Sequence, residues 1–402
     1  MTRRAARLLP LLLAVAAAAE SRPPPPPPHP LTDPLPASAC ADCQGGTVAL
    51  SGGDAAELMV AWNHPTQFRV FRRLFDADGN AGPDVAVPDG GRTAALAGAA
   101  PDGAGGWLLG WFEPGSRVFV QPLDAAERPA GAAVRVNEDV PAGGDEDNGT
   151  LVGGGGRAWV VVARSTAAPD PDPIVAYLVD TAGERLAPPV ELGTSFNRSS
   201  PQACIRPDGG VVAAWNLLAA PPSPEGPNPV GVALRAADGA GRALAAPTVL
   251  APATLLPPTV VAAYAVACGG DDGFIAAWQT NKRPARSGWD VLWQRFDSKG
   301  RQRGGAKLLN AGTVGDQLRP ALLFLEDGTL LAAWESRETR GSFIKGRRFA
   351  ANGKPVGGEL TLHEAAAGEL AQSPRLAAMP GTGRFALAWS EAGRGWVQIF
   401  AQ

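Results

Sequence analysis

Histidine, cysteine and tyrosine are scarce in this chain of 402 residues, which contains 3 His, 4 Cys and 2 Tyr. The sequence has no H-E-x-x-H motif, no G-x-S-x-G motif, no phosphate-binding Walker loop and no metal-spaced cluster of His and Cys. These motifs carry the chemistry of zinc proteases, serine hydrolases and nucleotide hydrolases. The sequence therefore offers no recognisable active site of these three classes.

Positive charge is not in excess either, since the formal net charge is −3 and the isoelectric point is about 5.8. Nucleic-acid binding depends on a basic surface that neutralises phosphates, so nucleic acid is not a predicted partner. Beyond the N-terminus, no apolar run approaches the roughly 18 residues that a membrane-spanning helix needs. We predict no transmembrane span after the N-terminal segment is removed.

The chain is rich in Gly (50 residues) and Pro (39 residues), and one tryptophan-ending phrase recurs along it. The phrase recurs at intervals of 49 to 63 residues, except for one interval of 104 in which AWVVVAR marks a copy with Ala163 in place of Trp. The six tryptophans are Trp62, Trp111, Trp215, Trp278, Trp334 and Trp389. A period of this length indicates a solenoid or a propeller. Their fixed place in an apolar strand predicts packing between modules rather than stacking on sugar rings.

Each unit can be divided into four short strands, of which the first is small and alanine-rich and the second ends in Trp. Gly/Asp-rich turns of uniform length join strands one and two, and strands three and four. The other two connections vary in length and emerge on the opposite side of an antiparallel sheet. We predict an all-β fold, a seven-bladed β-propeller of four-stranded antiparallel blades, with irregular loops gathered on one face.

The seventh unit ends at Gln402 after its third strand. Closure of the ring then needs a three-stranded last blade or a strand lent by the segment 31–37. That segment is rich in proline, which lacks the N–H that a sheet requires. We therefore expect a three-stranded last blade.

The N-terminus has the pattern of an export signal. Residues 1–20 contain three arginines, an apolar stretch and a run of alanines, which together predict a signal peptide. Residues 21–39 form a Pro-rich linker, and the propeller is predicted over 40–402. We expect a monomer that is secreted, periplasmic or at the cell surface, with a lipid anchor as a less favoured alternative.

An exported protein permits disulfides. Cys40 and Cys43 form a C-x-x-C that we interpret as a local disulfide, since no second C-x-x-C completes a zinc site. Cys204 and Cys268 occupy equivalent places in adjacent units, 11 and 10 residues before their tryptophans. A disulfide between units and two buried thiols are the alternatives for this second pair.

Several residues are candidates for a site on the loop face. Trp289 closes a loop that also carries Lys282, Arg283 and Arg286, and it is a candidate platform for sugars or anions. Covering the flank of its own blade, beside Trp293, is the alternative role for Trp289.

Charged residues at the strand ends form two further sets. Arg198, Arg319 and Arg375 each precede a first strand and could converge on a carboxylate. Glu113, Glu335 and Glu391 follow their tryptophans and could supply a glycosidase pair, although solvated strand-end charges are the interpretation we favour.

A cofactor is not predicted. Calcium at Asp145, Glu146 and Asp147 is an alternative, but their spacing meets no rule for a calcium loop.

The units resemble a repeat of bacterial secreted proteins, roughly P-x-hydrophobic, D-G-x-hydrophobic-A-W and then R-F-D-x-x-G. The best matches are RPALLFLEDGTLLAAWES and WQRFDSKGRQRGG. This resemblance covers residues 45–402 and implies a propeller of the broad sialidase-like kind. The Asp-box of sialidases, S-x-D-x-G-x-T-W, is absent from every turn. The resemblance thus implies a fold and leaves the activity open.

These observations favour a binding scaffold that holds a protein or a surface glycan on its loop face. A carbohydrate-active hydrolase or lyase using acids and arginines of the same face is the first alternative. A structural component of the cell envelope is the second.

Overall fold

A computed structural model describes β-strands joined by turns and loops. It covers residues 25–39, 48–54, 56–64, 67, 69–87, 95–113, 117–140, 145–165, 171–195, 200–218, 229–250, 263–269, 273–281 and 288–402. Within these ranges no helix is long and apolar enough to cross a membrane. The predicted signal peptide and the Cys40 and Cys43 pair lie outside the described residues.

The chain enters the fold through two short strands and then builds the first four blades, each from four consecutive strands. The entering strands are β1 (His29–Pro30) and β2 (Leu35–Pro36). Blade 1 consists of β3 (Val48–Gly52), β4 (Leu58–Asn63), β5 (Val70–Phe75) and β6 (Val85–Ala86). Blade 2 consists of β7 (Ala95–Pro101), β8 (Trp107–Glu113), β9 (Arg117–Leu123) and β10 (Val134–Arg135). Blade 3 consists of β11 (Asp145–Gly154), β12 (Arg157–Ser165), β13 (Asp172–Asp180) and β14 (Val190–Ser195). Blade 4 consists of β15 (Gln202–Ile205), β16 (Val211–Leu218), β17 (Pro229–Ala237) and β18 (Thr248–Val249).

The last three blades follow the same order of strands. Blade 5 consists of β19 (Tyr264–Cys268), β20 (Phe274–Thr280), β21 (Asp290–Phe296) and β22 (Lys307–Leu308). Blade 6 consists of β23 (Asp316–Phe324), β24 (Leu330–Glu338), β25 (Gly341–Phe349) and β26 (Pro355–Glu364). Blade 7 contains β27 (Gln372–Met379), β28 (Arg384–Glu391) and β29 (Arg394–Ala401). Within every blade, neighbouring strands pair antiparallel, which confirms the seven-bladed propeller.

The second strand of each blade is buried because a neighbouring sheet covers each of its faces. In β8 every residue is buried, and in β4 only the last residue is exposed. This explains the near-continuous apolar sequence of these strands, which lack the alternation of a strand with one wet face. The six repeated tryptophans are each at most 1% exposed. The prediction that they pack between modules is confirmed, and Ala163 is buried at the corresponding place in blade 3.

The closure of the ring differs from our expectation of a three-stranded last blade. In β1, His29 and Pro30 pair with the end of β29, and in β2, Leu35 and Pro36 pair with its beginning. The N-terminal segment thus supplies the fourth strand of blade 7 in two pieces, although the sequence assigned it to a linker.

Proline is tolerated in this position because the segment is an edge strand that hydrogen-bonds on one side only. The backbone N–H of Leu31 donates to the carbonyl of Ile399 at 2.8 Å, and that of Ala37 donates to Gly395 at 3.0 Å. Each donor follows a proline directly. The missing N–H groups therefore fall where no partner strand is present.

Of the two alternatives for the second cysteine pair, the structure shows the disulfide: Cys204 on β15 and Cys268 on β19 are bonded, with their Cα atoms 5.5 Å apart. This cross-link joins the first strands of blades 4 and 5 next to the axis of the ring. It fits an exported protein.

The turns between the third and fourth strands of blades 1 to 5 share one device, whereas the turn of blade 6 opens at Ala350. An aspartate opens the turn, and its Oδ1 accepts the backbone N–H groups two and four residues later. In four of these five turns the other oxygen, Oδ2, accepts a side-chain N–H from the residue four positions on, such as Arg128 for Asp124 at 2.9 Å. Asp76 makes the equivalent bond to the side chain of Asn80 at 2.8 Å. The Asp76 carboxylate therefore accepts hydrogen bonds from residues of its own turn.

These hydrogen bonds lower the pKa of Asp76, Asp124, Asp238 and Asp297 below the ordinary value of 3.8. The largest contribution to the lowered pKa of Asp76 is the hydrogen bond from the Asn80 side chain. For Asp124 and Asp238 it is a hydrogen bond from a backbone N–H. At Asp297 desolvation raises the pKa, but the hydrogen bonds outweigh it. A depressed pKa in the folded state means that the stabilisation is present above pH 4 and is lost as the pH falls further.

We therefore expect the free energy of unfolding to decline below about pH 4. A variant carrying Asn at all four positions should have a lower free energy of unfolding than the natural chain at pH 7. The difference between the two should become smaller at pH 3. Denaturant unfolding at both values measures this. A difference in stability that is the same at pH 7 and pH 3 would contradict the assignment.

Candidate functional site

The two faces of the ring carry different connections. The turn face holds the hairpins between strands one and two and between strands three and four. The loop face holds the ends of the second strands and the beginnings of the first strands. Glu335, near the end of β24, pairs in register with Leu318 at the beginning of β23. Glu335 therefore lies on the loop face beside the beginning of a first strand, where Arg319 also stands.

Glu335 is the most buried of the candidate acids, with no exposed surface. One carboxylate oxygen accepts a hydrogen bond from Arg319 at 2.7 Å, and the other accepts one from Arg337 at 2.5 Å. Two arginines thus hold this carboxylate on both sides. The interpretation as a solvated strand-end charge is wrong for Glu335.

Glu391 is also engaged, at the boundary between blades 6 and 7. It accepts hydrogen bonds from the Trp389 indole at 3.1 Å and from the backbone of Ala366 at 2.8 Å. The Nε2 atom of His363 lies 2.5 Å from the carboxylate, and the His363 ring packs against Trp389 at 4.2 Å. Desolvation raises the pKa of Glu391, but these hydrogen bonds outweigh it and lower the pKa overall.

Glu113 repeats the arrangement of Glu391 in blade 2. Its Oε1 accepts the Trp111 indole N–H at 3.3 Å, and its Oε2 lies 3.2 Å from Arg117. Glu113 is 7% exposed. The acids two residues after a tryptophan therefore stabilise the indole that packs between blades.

The two described arginines stand at irregularities of the first strands. The register of β23 shifts between Leu318 and Ala321, and that of β27 shifts between Gln372 and Arg375. Within these bulges Arg319 has a φ of 47° and Ser373 a φ of 53°. Bulges of this kind redirect side chains and are common beside binding sites.

Arg375 is half-buried and lines a cavity of about 100 Å³ in the central channel. Burial, and then the positive charge of Arg319, lower the pKa of Arg375. The strands that carry the two arginines, β23 and β27, are in contact with each other. Arg319 and Arg375 thus stand on neighbouring first strands, and Arg198 lies outside the described residues.

Trp289 lies at the beginning of the third strand of blade 5 and is partly exposed. Its backbone N–H donates to Asp316 at 3.0 Å, and its carbonyl accepts from Gln317 at 2.8 Å. Trp293 instead packs between blades against Phe349, with 4.9 Å between the ring centroids. Lys282, Arg283 and Arg286 lie outside the described residues, as do the side chains of the calcium alternative, Asp145, Glu146 and Asp147.

Sequence reasoning missed several members of this region. Gln202 and Tyr264 line the channel cavity with Arg375, and His363 reaches Glu391 from the fourth strand of blade 6. A signal for the first two was present, because both occupy the beginning of a first strand, as Arg319 does. His363 had no such signal, since its contact crosses from one blade to the next.

No protein-family profile matches the chain, and no curated protein sequence matches it. Its fold is similar to solved structures. Puromycin hydrolase aligns with a TM-score of 0.53 and 17% identity over 90% of this chain. This chain spans 55% of the puromycin hydrolase chain. The polysaccharide lyase Uly1 aligns with a TM-score of 0.52 and 9% identity, over 89% of this chain and 90% of the lyase. The WD40 domain of Toxoplasma gondii coronin aligns with a TM-score of 0.51 and 10% identity, over 94% of this chain and 88% of that domain. At these identities the likeness concerns the propeller fold, which hosts many unrelated functions.

Proposed function

We propose that this protein is an exported propeller that binds a protein or a surface glycan through its loop face without chemical turnover. A rigid ring that presents loops of unequal length on one face is a common platform for recognition. The observation that carries the proposal is the state of the three candidate acids. Each is already bound by an arginine, a histidine or an indole.

Glycoside hydrolysis needs two carboxylates about 5 to 9 Å apart that are available to protonate or attack the substrate. Glu335 faces two arginines, whereas Glu391 faces His363 and Ala366 at the boundary of two blades. Glu113 belongs to a different part of the ring, in blade 2. This distribution supports structural roles for the acids and favours binding over hydrolysis.

Trp289 supports a binding role for the loop face. The residue before it, Gly288, sits so close to Gly315 that an added Cβ would lie 2.9 Å from the Gly315 carbonyl. Val314, next to Gly315, is 64% exposed. A partly exposed indole and an exposed valine therefore belong to adjoining segments of the loop face, and together they offer an apolar contact to a partner.

The proposal is tested by a glycan array and a panel of chromogenic glycosides, both applied to the full chain. We expect retention on the array without turnover of the glycosides. Turnover that disappears in Glu335→Gln or Glu391→Gln would overturn the proposal in favour of the hydrolase or lyase.

Trp289→Ala should weaken binding of the array ligand by roughly tenfold or more, since aromatic side chains dominate binding energies. Its effect on the unfolding temperature should be small because the side chain is partly exposed. Leu186→Ala is the matched control, because Leu186 is an exposed apolar residue (51%) on the turn face. Equal loss of binding in both variants would argue against the loop face as the site.

A further inference from the structure

The cavity in the central channel is enclosed by the first strands of blades 4 to 7. Seven of its ten lining residues are apolar or small, and the other three carry polar side chains. The apolar residues are Ala203, Ala265, Val266, Pro320, Ala321, Leu322 and Leu376, and the polar ones are Gln202, Tyr264 and Arg375. Arg375 is the one charged residue of this lining.

Arg375 has no carboxylate partner among the described residues. Its Nη1 donates to the carbonyl of Pro374 at 3.2 Å, an adjacent residue. The neighbouring arginines of the loop face differ in this respect, because Arg319 and Arg337 both bind Glu335. A half-buried guanidinium loses hydration that a single carbonyl does not replace, so it favours an anion from outside the chain.

Two strained backbone positions flank this arginine. Arg319 and Ser373 hold positive φ angles of 47° and 53°, which are unfavourable for residues other than glycine. Each directly precedes a proline, Pro320 or Pro374, and lies in a bulge of a channel-lining strand. Strain of this kind persists where the surrounding structure requires a particular placement of side chains. In this protein the backbone strain occurs on the two neighbouring strands that carry Arg319 and Arg375.

We propose that the channel cavity binds the carboxylate of an acidic ligand, such as a uronic acid at a chain end, with Arg375 as its principal partner. This inference rests on the loop-face binding function and names the chemistry of the ligand. A planar carboxylate matches the fork of a guanidinium in a bidentate pair. Arg319 and Arg337 share the single carboxylate of Glu335, so this cluster keeps one net positive charge near Arg375. Gln202 and Tyr264 line the same cavity, and their side chains donate to the backbone carbonyls of Pro201 and Ser200.

The size of the cavity limits what can enter. Its volume of about 100 Å³ is several times the roughly 10–15 Å³ that one water molecule requires. It therefore accepts an acidic end group, and the rest of the ligand extends onto the loop face.

Calorimetric titration of the full chain with sodium glucuronate and with glucose tests this inference. We expect glucuronate to bind and glucose to be silent. Arg375→Met should weaken glucuronate binding by roughly tenfold or more, the scale of a lost hydrogen-bonded charge pair. Arg340→Met is the matched control, because Arg340 is a loop-face arginine, 65% exposed, that pairs with Glu338 away from the cavity. It should bind within about twofold of the natural chain.

A second measurement uses the unaltered chain and so does not depend on the folding of a variant. Phenylglyoxal modifies accessible arginines, and peptide mass mapping reports each one. Glucuronate should slow modification at Arg375 and leave Arg340 unchanged. Equal rates with and without glucuronate, equal binding of glucose, or binding of sulfate as tight as that of glucuronate would overturn the inference.

The two proposals fail in different ways. If Arg375→Met keeps its array ligand while Trp289→Ala loses it, the loop face binds and the carboxylate site is wrong. If glucuronate binds through Arg375 but no array ligand or protein is retained, the channel site stands and the wider binding function fails.

Discussion

Trp334→Ala should lower the free energy of unfolding by about 3–5 kcal/mol through lost packing. The side chain has no exposed surface and belongs to the cluster between blades 5 and 6 that also holds Trp293 and Phe349. Its indole N–H donates to Oε1 of Gln317 at 2.7 Å. Since Gln317 is itself 3% exposed, truncation also leaves a buried acceptor without its donor, which costs about 1–3 kcal/mol more.

Trp334→Phe separates the two contributions. It keeps most of the buried ring and loses the hydrogen bond, so its destabilisation should be about 1–3 kcal/mol. Trp334→Phe combined with Gln317→Leu should recover part of that loss, because both polar partners are then removed. Denaturant unfolding followed by circular dichroism measures all three variants. A destabilisation below about 1 kcal/mol for Trp334→Ala would show that the tryptophan does not hold the blades together.

The architecture could be predicted from the sequence because a propeller repeats one local pattern. Trp62 and Trp389 occupy the same place in blades 1 and 7, and each copy reinforces the interpretation of the others. The equivalence of Cys204 and Cys268 in adjacent units likewise made a disulfide one of the two alternatives, and it is the one present. The repeat period can predict such contacts because equivalent positions of adjacent blades lie at neighbouring places around the ring.

The site was predicted less well because its contacts cross between repeats at unequal positions. Glu335 and Glu391 look alike in sequence, one and two residues after a tryptophan. Because of this difference of one residue, Glu335 binds Arg319 and Arg337, whereas Glu391 binds His363 between two blades. Side chains of successive strand residues point to opposite faces, so a shift of one residue changes the partners entirely.

The ring closure was predicted wrongly for a different reason. Proline disfavours sheet pairing when every N–H must find a partner. By that rule the proline-rich segment 31–37 would not pair with the last blade. An edge strand needs only alternate N–H groups, and Leu31 and Ala37 supply them. Sequence pattern alone does not distinguish these two situations, because the difference depends on whether a further strand covers the outer side.

A chain that begins at residue 40 should therefore be much less stable than one that begins at residue 25, by on the order of 3–6 kcal/mol. The shorter chain loses the backbone bonds to β29 and the bond from the Gln398 side chain to the carbonyl of Thr32, at 2.7 Å. It also loses Ala37, which is fully buried in the cluster between blades 7 and 1.

The segment 25–39 contacts three blades, so its removal should lower the free energy of unfolding substantially. It accepts a hydrogen bond from Arg348 of blade 6 at the carbonyl of Pro26, at 3.0 Å. It pairs with β29 of blade 7. On blade 1, the hydroxyl of Ser38 donates to Asp84 at 2.5 Å.

Without the segment, the outer edge of β29 presents unpaired backbone groups, which promote association between chains. Size-exclusion chromatography should then show oligomers of the chain that begins at residue 40 and a single species for the one that begins at residue 25. Equal stability and equal elution of the two chains would mean that the three-stranded blade closes the ring by itself.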